Sequence, residues 1–140
     1  MVIALVERGG NVRSFHPGKA DGETVSAIVC ENIVRESRLH TDESKLYSNV
    51  GKEFSVHETT VHSRGEYVRG DVHTNSVEGF FSIFKRGMRG VYQHCKEKHL
   101  HRYLAEFDFR YNSRKITDME RTIAAVRGGE GKRLTYHQPH

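Results

Sequence analysis

The chain has 140 residues, 36% of them hydrophobic, which suits one domain with a modest core. Its two cysteines have no CxxC spacing, so neither a disulfide framework nor a zinc ribbon is indicated. No apolar run approaches the roughly 18 residues of a membrane span, and the N-terminus lacks the order of a signal peptide. We therefore expect a cytoplasmic protein with no membrane partner.

The charge is unevenly distributed along the chain. The formal net charge is +4, and residues 71–140 hold 13 Lys and Arg against 8 Asp and Glu. Residues 1–70 hold 9 against 10. The positive half favours a polyanionic partner, although an excess of this size is also common in proteins that bind no nucleic acid.

The first half of the chain alternates strand and helix patterns. Residues 2–7 and 12–15 are predicted strands, joined by a hairpin turn at Gly9, Gly10 and Asn11. A helix is predicted over residues 21–34, with Asp21 or Thr24 as its N-cap. The segments SRLHTDES and EFSVHETTVHS follow as two further strands, the first of them buried.

The second half is predominantly helical. The segment RGEYVRGDVHT is predicted to be a glycine-punctuated loop, and helices follow at residues 73–90, 98–112 and, more weakly, 118–126. The 98–112 helix presents one apolar face, made of Leu100, Tyr103, Leu104, Phe107 and Tyr111. We expect a domain over residues 1–127 and a flexible tail over residues 128–140.

The helix that begins near His73 has two distinct faces. At 100° per residue its apolar face consists of Val77, Phe80, Phe81, Phe84 and Met88. A polar stripe only about 80° wide lies well away from that face. The stripe consists of Asn75, Glu78, Ser82 and Lys85. A core helix is therefore predicted to hold a carboxylate and an amine along one edge.

The order of these elements is that of an α/β domain of the ribonuclease-H-like class, a mixed sheet flanked by helices. In such a domain, carboxylates at a strand end and on a later helix converge on two Mg²⁺ ions for phosphoryl transfer. Asp42 lies at the predicted end of a strand, where such a metal site requires a carboxylate. Lys85 follows Glu78 by two helical turns. A carboxylate and a lysine so placed can bind a metal and a phosphate, respectively.

Three segments make the sequence resemble a known family. They are VERGGNVR, LHTDESKLY and the stretch from EYVRGDVHTNSVEGFF to FRYNSR. Over about residues 3–115 the chain resembles the ISXO-like branch of bacterial insertion-sequence transposases, enzymes of the DDE class. The resemblance implies metal-dependent DNA strand cleavage and strand transfer in the bacterial cytoplasm, with Mg²⁺ or Mn²⁺ as cofactor. The implied partners are transposon ends and target DNA, and a homo-oligomer stays an open alternative.

The resemblance also assigns roles to individual residues. Asp42 matches the second catalytic Asp of the family, Glu78 its third acidic residue and Lys85 the lysine that follows. Some members use Asn as the third metal ligand, which keeps Asn75 as a neighbouring candidate. The expected DNA-contacting residues are Lys85, Arg86, Arg89, Lys96, Lys98 and Arg102.

One departure from the family bears on activity. The family carries its first catalytic Asp on a first core strand, upstream of the segment that matches VIALVERGG at the start of this chain. We therefore expect the first core strand to be absent and the 140-residue chain to be inactive alone. The alternative is a non-catalytic nucleic-acid-binding or interaction module derived from a transposase.

Each candidate also has an ordinary structural interpretation. Asp42 suits a turn or a cap before residues 44–50, and Glu78 suits the first turn of any helix. Lys85 with Arg86 and Arg89 suits a solvated helix face. The cluster of His94, Cys95, His99 and His101 lacks the spacing of a structural zinc site. His99 and His101 are better explained as phosphate or water contacts, and His73 either orients a ligand or closes its loop.

Overall fold

The computed structural model describes residues 1–19, 21–60, 68–69, 72–73 and 75–132 of the chain. The strands are β1 (Ile3–Val6), β2 (Val12–Phe15), β3 (Arg38–Asp42), β4 (Val56–Thr60), β5 (Val68–Arg69) and β6 (Val72–His73). The α-helices are α1 (Gly22–Asn32), α2 (Asn75–Gly87), α3 (Leu100–Asn112) and α4 (Asp118–Gly129). The order is therefore mixed α/β, as predicted.

The described strands form three two-stranded sheets. β1 and β2 are antiparallel, β3 and β4 are parallel, and β5 and β6 are antiparallel. β6 also lies against β3 and β4. No described strand joins β1 to β3, so the single mixed sheet of the sequence prediction is not formed by these residues.

A first core cluster joins β1 and β3 through α1. Asp21 caps this helix, because its carboxylate accepts the Thr24 backbone N–H at 2.9 Å, and that bond lowers the pKa of Asp21 to about 2. Thr24, the other predicted cap, is the donor. The buried members of the cluster are Ile3, Val25, Val29, Leu39, Val50 and Phe54. β1 and β3 thus share a core without sharing a hydrogen-bonded ladder.

The second core cluster lies on the opposite face of β1 and β2. The apolar face of α2 contributes the buried Phe80 and Phe84, and α3 contributes Leu104 and Phe107. Phe84 and Phe107 meet edge to face, with ring centroids 5.1 Å apart. A Cβ at Gly87 would collide with the Phe107 ring, so glycine allows the two helices to approach closely. The predicted apolar faces of both helices are confirmed.

Side chains of α3 cover the outer edge of β2. Asn112 accepts the Val12 N–H at 2.7 Å and donates to the Val12 carbonyl oxygen at 2.9 Å. One turn earlier, Asp108 accepts both the backbone N–H and the hydroxyl of Ser14, at 2.7 and 2.6 Å. Burial raises the pKa of Asp108, and the two Ser14 bonds oppose that effect. These side chains take the place of a neighbouring strand.

The edge of β1 that faces away from β2 has no such cover among the described residues. Glu7 N–H bonds to Asn11 oxygen at 2.9 Å, which sets the alternation of the antiparallel ladder. With this register, the backbone groups of Ala4 and Val6 point away from β2. No described strand pairs with them. Within the described part of the chain, the β1–β2 sheet is therefore covered along β2 and uncovered along β1.

Several boundaries differ from the predictions. The predicted loop over residues 64–74 contains the strands β5 and β6, and its remaining residues lie outside the described part of the chain. The predicted 73–90 helix changes after Gly87 into a π-helical turn, Met88–Tyr92. α4 runs to Gly129, two residues into the predicted tail, and residues 133–140 lie outside the description. No helix of the described residues has the length and apolarity to cross a membrane.

The side-chain cover of β2 predicts a stability effect. Replacing Asn112 by Leu removes both bonds to Val12. We expect the free energy of unfolding to fall by about 1–3 kcal/mol. Urea unfolding followed by circular dichroism measures the change. Asn49→Ala is the control, since Asn49 is exposed and makes no side-chain cap bond. Equal effects of the two substitutions would show that Asn112 does not stabilise this edge.

Candidate active site and nucleic-acid interface

Asp42 is the last residue of β3 and is exposed. Its carboxylate accepts the Ser44 backbone N–H at 3.0 Å, which turns the chain directly after the strand. Ser44, rather than Asp42, caps the following short 3₁₀ turn, Lys45–Tyr47. The strand-end position predicted for Asp42 is confirmed, and a carboxylate there faces solvent beside a tight turn.

Tyr47 lies in the short 3₁₀ turn after Asp42 and was not singled out from the sequence. Burial and the Asp42 charge raise the pKa of the Tyr47 phenol above its usual range. The only signal in the sequence is that Tyr47 follows Asp42 by five positions, within LHTDESKLY.

The predicted polar stripe on α2 is confirmed as a solvent-facing edge. Asn75 is the first residue of the helix, Glu78 lies in its first turn and Lys85 in its last turn. All three are exposed, opposite the buried Phe80 and Phe84. Glu78 also takes part in a side-chain interaction.

The chain path brings α2 toward the sheet that carries Asp42. β6 lies against β3 and β4, and α2 begins two residues after His73, the last residue of β6. Among the described residues, no three His, Cys, Asp or Glu side chains come together as a metal site. A shared ion between Asp42 and Glu78 therefore stays a prediction.

The six predicted DNA-contacting cations have a common property. Each is exposed, and none forms an ion pair with a carboxylate of the described residues. They are Lys85, Arg86 and Arg89 after the middle of α2, and Lys96, Lys98 and Arg102 around the start of α3. Some other cations do lie beside carboxylates, as in Lys19–Asp21 at 3.0 Å and Arg110–Glu106 at 2.7 Å. The six cations thus have no ion-pair partner among the described carboxylates.

The pKa of His99 reflects the positive charges of this region. Burial lowers the pKa of its imidazole, and the neighbouring Arg102, Lys98, His101 and Lys96 lower it further. Three of the six cations therefore lie close enough to act on one ring. Because a lowered pKa keeps His99 neutral near pH 7, its role in phosphate contact would be that of a hydrogen-bonding group rather than a cation.

Comparison with known proteins gives the family. The ISXO2-like transposase domain matches residues 1–112 of the chain. The chain belongs to the ISXO2-like transposase family. An uncharacterized protein in transposable element ISH50 of Halobacterium salinarum is 32% identical over 114 residues, which cover 78% of this chain and 37% of that protein. This transposase-family chain thus spans well under half of that relative, and no solved structure matches it.

The cationic region predicts the titration of His99. NMR titration of its imidazole should give a pKa below the ordinary value of 6.5. Arg102→Gln should raise that pKa, because it removes the positive charge that lowers the pKa most strongly. Acidification below pH 6.5 should cost stability, since the unfolded chain then binds the proton more readily than the folded one.

The control for this titration is Lys52→Gln, which removes an exposed cation on the α1 side of the fold. This substitution should leave the pKa of His99 unchanged. An unchanged pKa in Arg102→Gln would show that these cations do not act on the ring.

Proposed function

We propose that this chain is the catalytic domain of an insertion-sequence transposase, which binds DNA and takes part in metal-dependent strand cleavage and strand transfer. The observation that carries the proposal is the exposed Asp42 carboxylate at the carboxyl end of a parallel strand, in a chain of the transposase family. Carboxyl ends of parallel strands are where α/β proteins place their ligand sites.

The donor set fits a hard divalent cation. Asp42, Glu78 and Asn75 offer carboxylate and amide oxygens, the ligands that Mg²⁺ and Mn²⁺ prefer, and all three residues are exposed. When bound, such an ion supplies Lewis-acid stabilisation of phosphoryl oxygens. The proposed roles are ligands for Asp42 and Glu78, with Asn75 as the alternative third ligand. Lys85 would hold a phosphate oxygen two helical turns from Glu78.

The proposed fold is ribonuclease-H-like, with one further strand between β1 and β3. Two observations support it: β1 and β3 share the α1 core without pairing, and the backbone groups of Ala4 and Val6 face away from β2. A strand placed there would join the two sheets and would bring its own end beside Asp42. A carboxylate on that strand would supply the family's first ligand, so the described residues alone would not complete the site.

The proposed DNA interface is the surface formed by these six cations. Because none of them pairs with a described carboxylate, they can neutralise phosphates, and each neutralised phosphate contributes a slope near −0.9 to log K against log salt. We expect weak binding without sequence preference, because nothing in these contacts reads base edges.

DNA binding is tested with a labelled 30-bp duplex in EDTA, by fluorescence anisotropy across salt concentrations. The Lys98→Gln/Arg102→Gln double variant should weaken binding and make the salt slope shallower by about 2. The matched control, Arg35→Gln/Lys52→Gln, removes two exposed cations from the α1 side and should change little. Absence of salt-dependent binding by the unaltered chain would refute the DNA-binding part of the proposal.

Catalysis is tested with a chimera that places a family strand bearing an Asp ahead of Met1. With Mg²⁺ it should nick DNA, and Glu78→Gln should abolish nicking, because Gln keeps the shape but removes the charge that binds the metal. The unaltered 140-residue chain should bind but not cut. If Asn75→Ala destroys nicking while Glu78→Gln does not, Asn75 is the third ligand. A folded chimera that binds DNA but never cuts would favour the non-catalytic module.

A further inference from the structure

Ile83 is an apolar side chain on the solvent-facing side of α2. It is 52% exposed, although α2 has a well-formed apolar face on which Phe80 and Phe84 are buried. An isolated exposed apolar residue needs no explanation by itself. The residues around Ile83 distinguish it from an ordinary exposed apolar residue.

Glycines stand one turn before and one turn after Ile83. Gly87 has a structural reason, because a Cβ there would collide with Phe107. Gly79 has none of this kind, since no atom of the described residues lies within 4 Å of a Cβ built there. Glycine inside a helix costs about 1 kcal/mol relative to alanine. Gly79 thus leaves the helix surface beside Ile83 without a side chain, although this lowers the stability of the helix.

The bare surface is flanked by cations. Arg86 lies about 60° around the helix from Ile83, and Arg89 follows in the π-helical turn Met88–Tyr92. Both are exposed and neither pairs with a described carboxylate. The one acidic residue of α2, Glu78, lies about 140° away from Ile83. This part of the helix therefore combines positive charge, open backbone and one protruding aliphatic group.

We propose that the Gly79–Ile83–Arg86 face of α2 lies against duplex DNA, with Ile83 packed on the sugar and base surface of a groove. The charge of Arg86 and Arg89 selects a polyanion, and the absence of side chains at Gly79 lets the helix approach closely. An aliphatic contact with the duplex contributes affinity that does not depend on salt. This inference rests on the proposed DNA binding and adds to it a non-ionic contact residue.

The test separates ionic from non-ionic contributions. Binding of a labelled 30-bp duplex is measured in EDTA at several salt concentrations. Ile83→Gln, which keeps the size but removes the apolar character, should weaken binding about tenfold at every salt concentration, with the slope unchanged. Arg86→Gln should instead make the slope shallower by about 1. Val34→Gln is the matched control, because Val34 is 72% exposed at the end of α1.

Gly79→Ala provides a second, independent variant. It should raise the urea midpoint of unfolding, because alanine favours the helix, and yet weaken DNA binding several-fold. A variant that is more stable but binds less cannot be explained by misfolding. Gly79→Ala binding as tightly as the unaltered chain would rule out close approach at this face.

Two further outcomes of the DNA-binding measurements would contradict the inference. Ile83→Gln with unaltered affinity, or a loss matched by Val34→Gln, would overturn it while the salt-dependent binding of the unaltered chain still upheld the proposed function. An unaltered chain that does not bind DNA at all would overturn both.

Discussion

The pairing of Asn112 with Val12 fixes how the second half of the chain sits on the first. Both backbone groups of Val12 are satisfied by one side chain of α3, and Asp108 accepts the backbone N–H and the hydroxyl of Ser14. Because these groups would otherwise lie unpaired at a partly buried edge, α3 is held in one position along β2. α2 follows, since it packs on α3 at Gly87 and Phe107. The exposed face of α2 is therefore placed by bonds at the far side of a sheet.

This arrangement explains how one helix can serve a core and a site at once. The aromatic residues of α2 bury against β1, β2 and α3, and the same winding turns Asn75, Glu78 and Lys85 outward. Asp42 is placed by a different core, through Leu39 on the same strand and α1 beneath it. The proposed site would therefore combine residues that are placed by two separate cores, and its geometry would depend on both.

Patterns within short segments predicted the features that involve residues close together in the sequence. The 3.6-residue period predicted both faces of α2, and short segments predicted the strand that ends at Asp42 and an N-cap at Asp21 or Thr24, of which Asp21 is the cap. Features that join distant residues were not predictable. Asn112 and Val12 are 100 positions apart, and nothing near either residue indicates their bond. The parallel pairing of β3 with β4, the separation of β1 from β3 and the effect of the Asp42 charge on Tyr47 likewise depend on tertiary packing.

The covered edge of β2 also limits how these chains can associate. Growth of a sheet from molecule to molecule requires two open edges, one to receive a strand and one to offer the next. In the β1–β2 sheet, Asp108 and Asn112 occupy the edge of β2, and no described strand pairs with β1. Because the edge of β2 cannot receive a strand, growth from molecule to molecule cannot pass through this sheet.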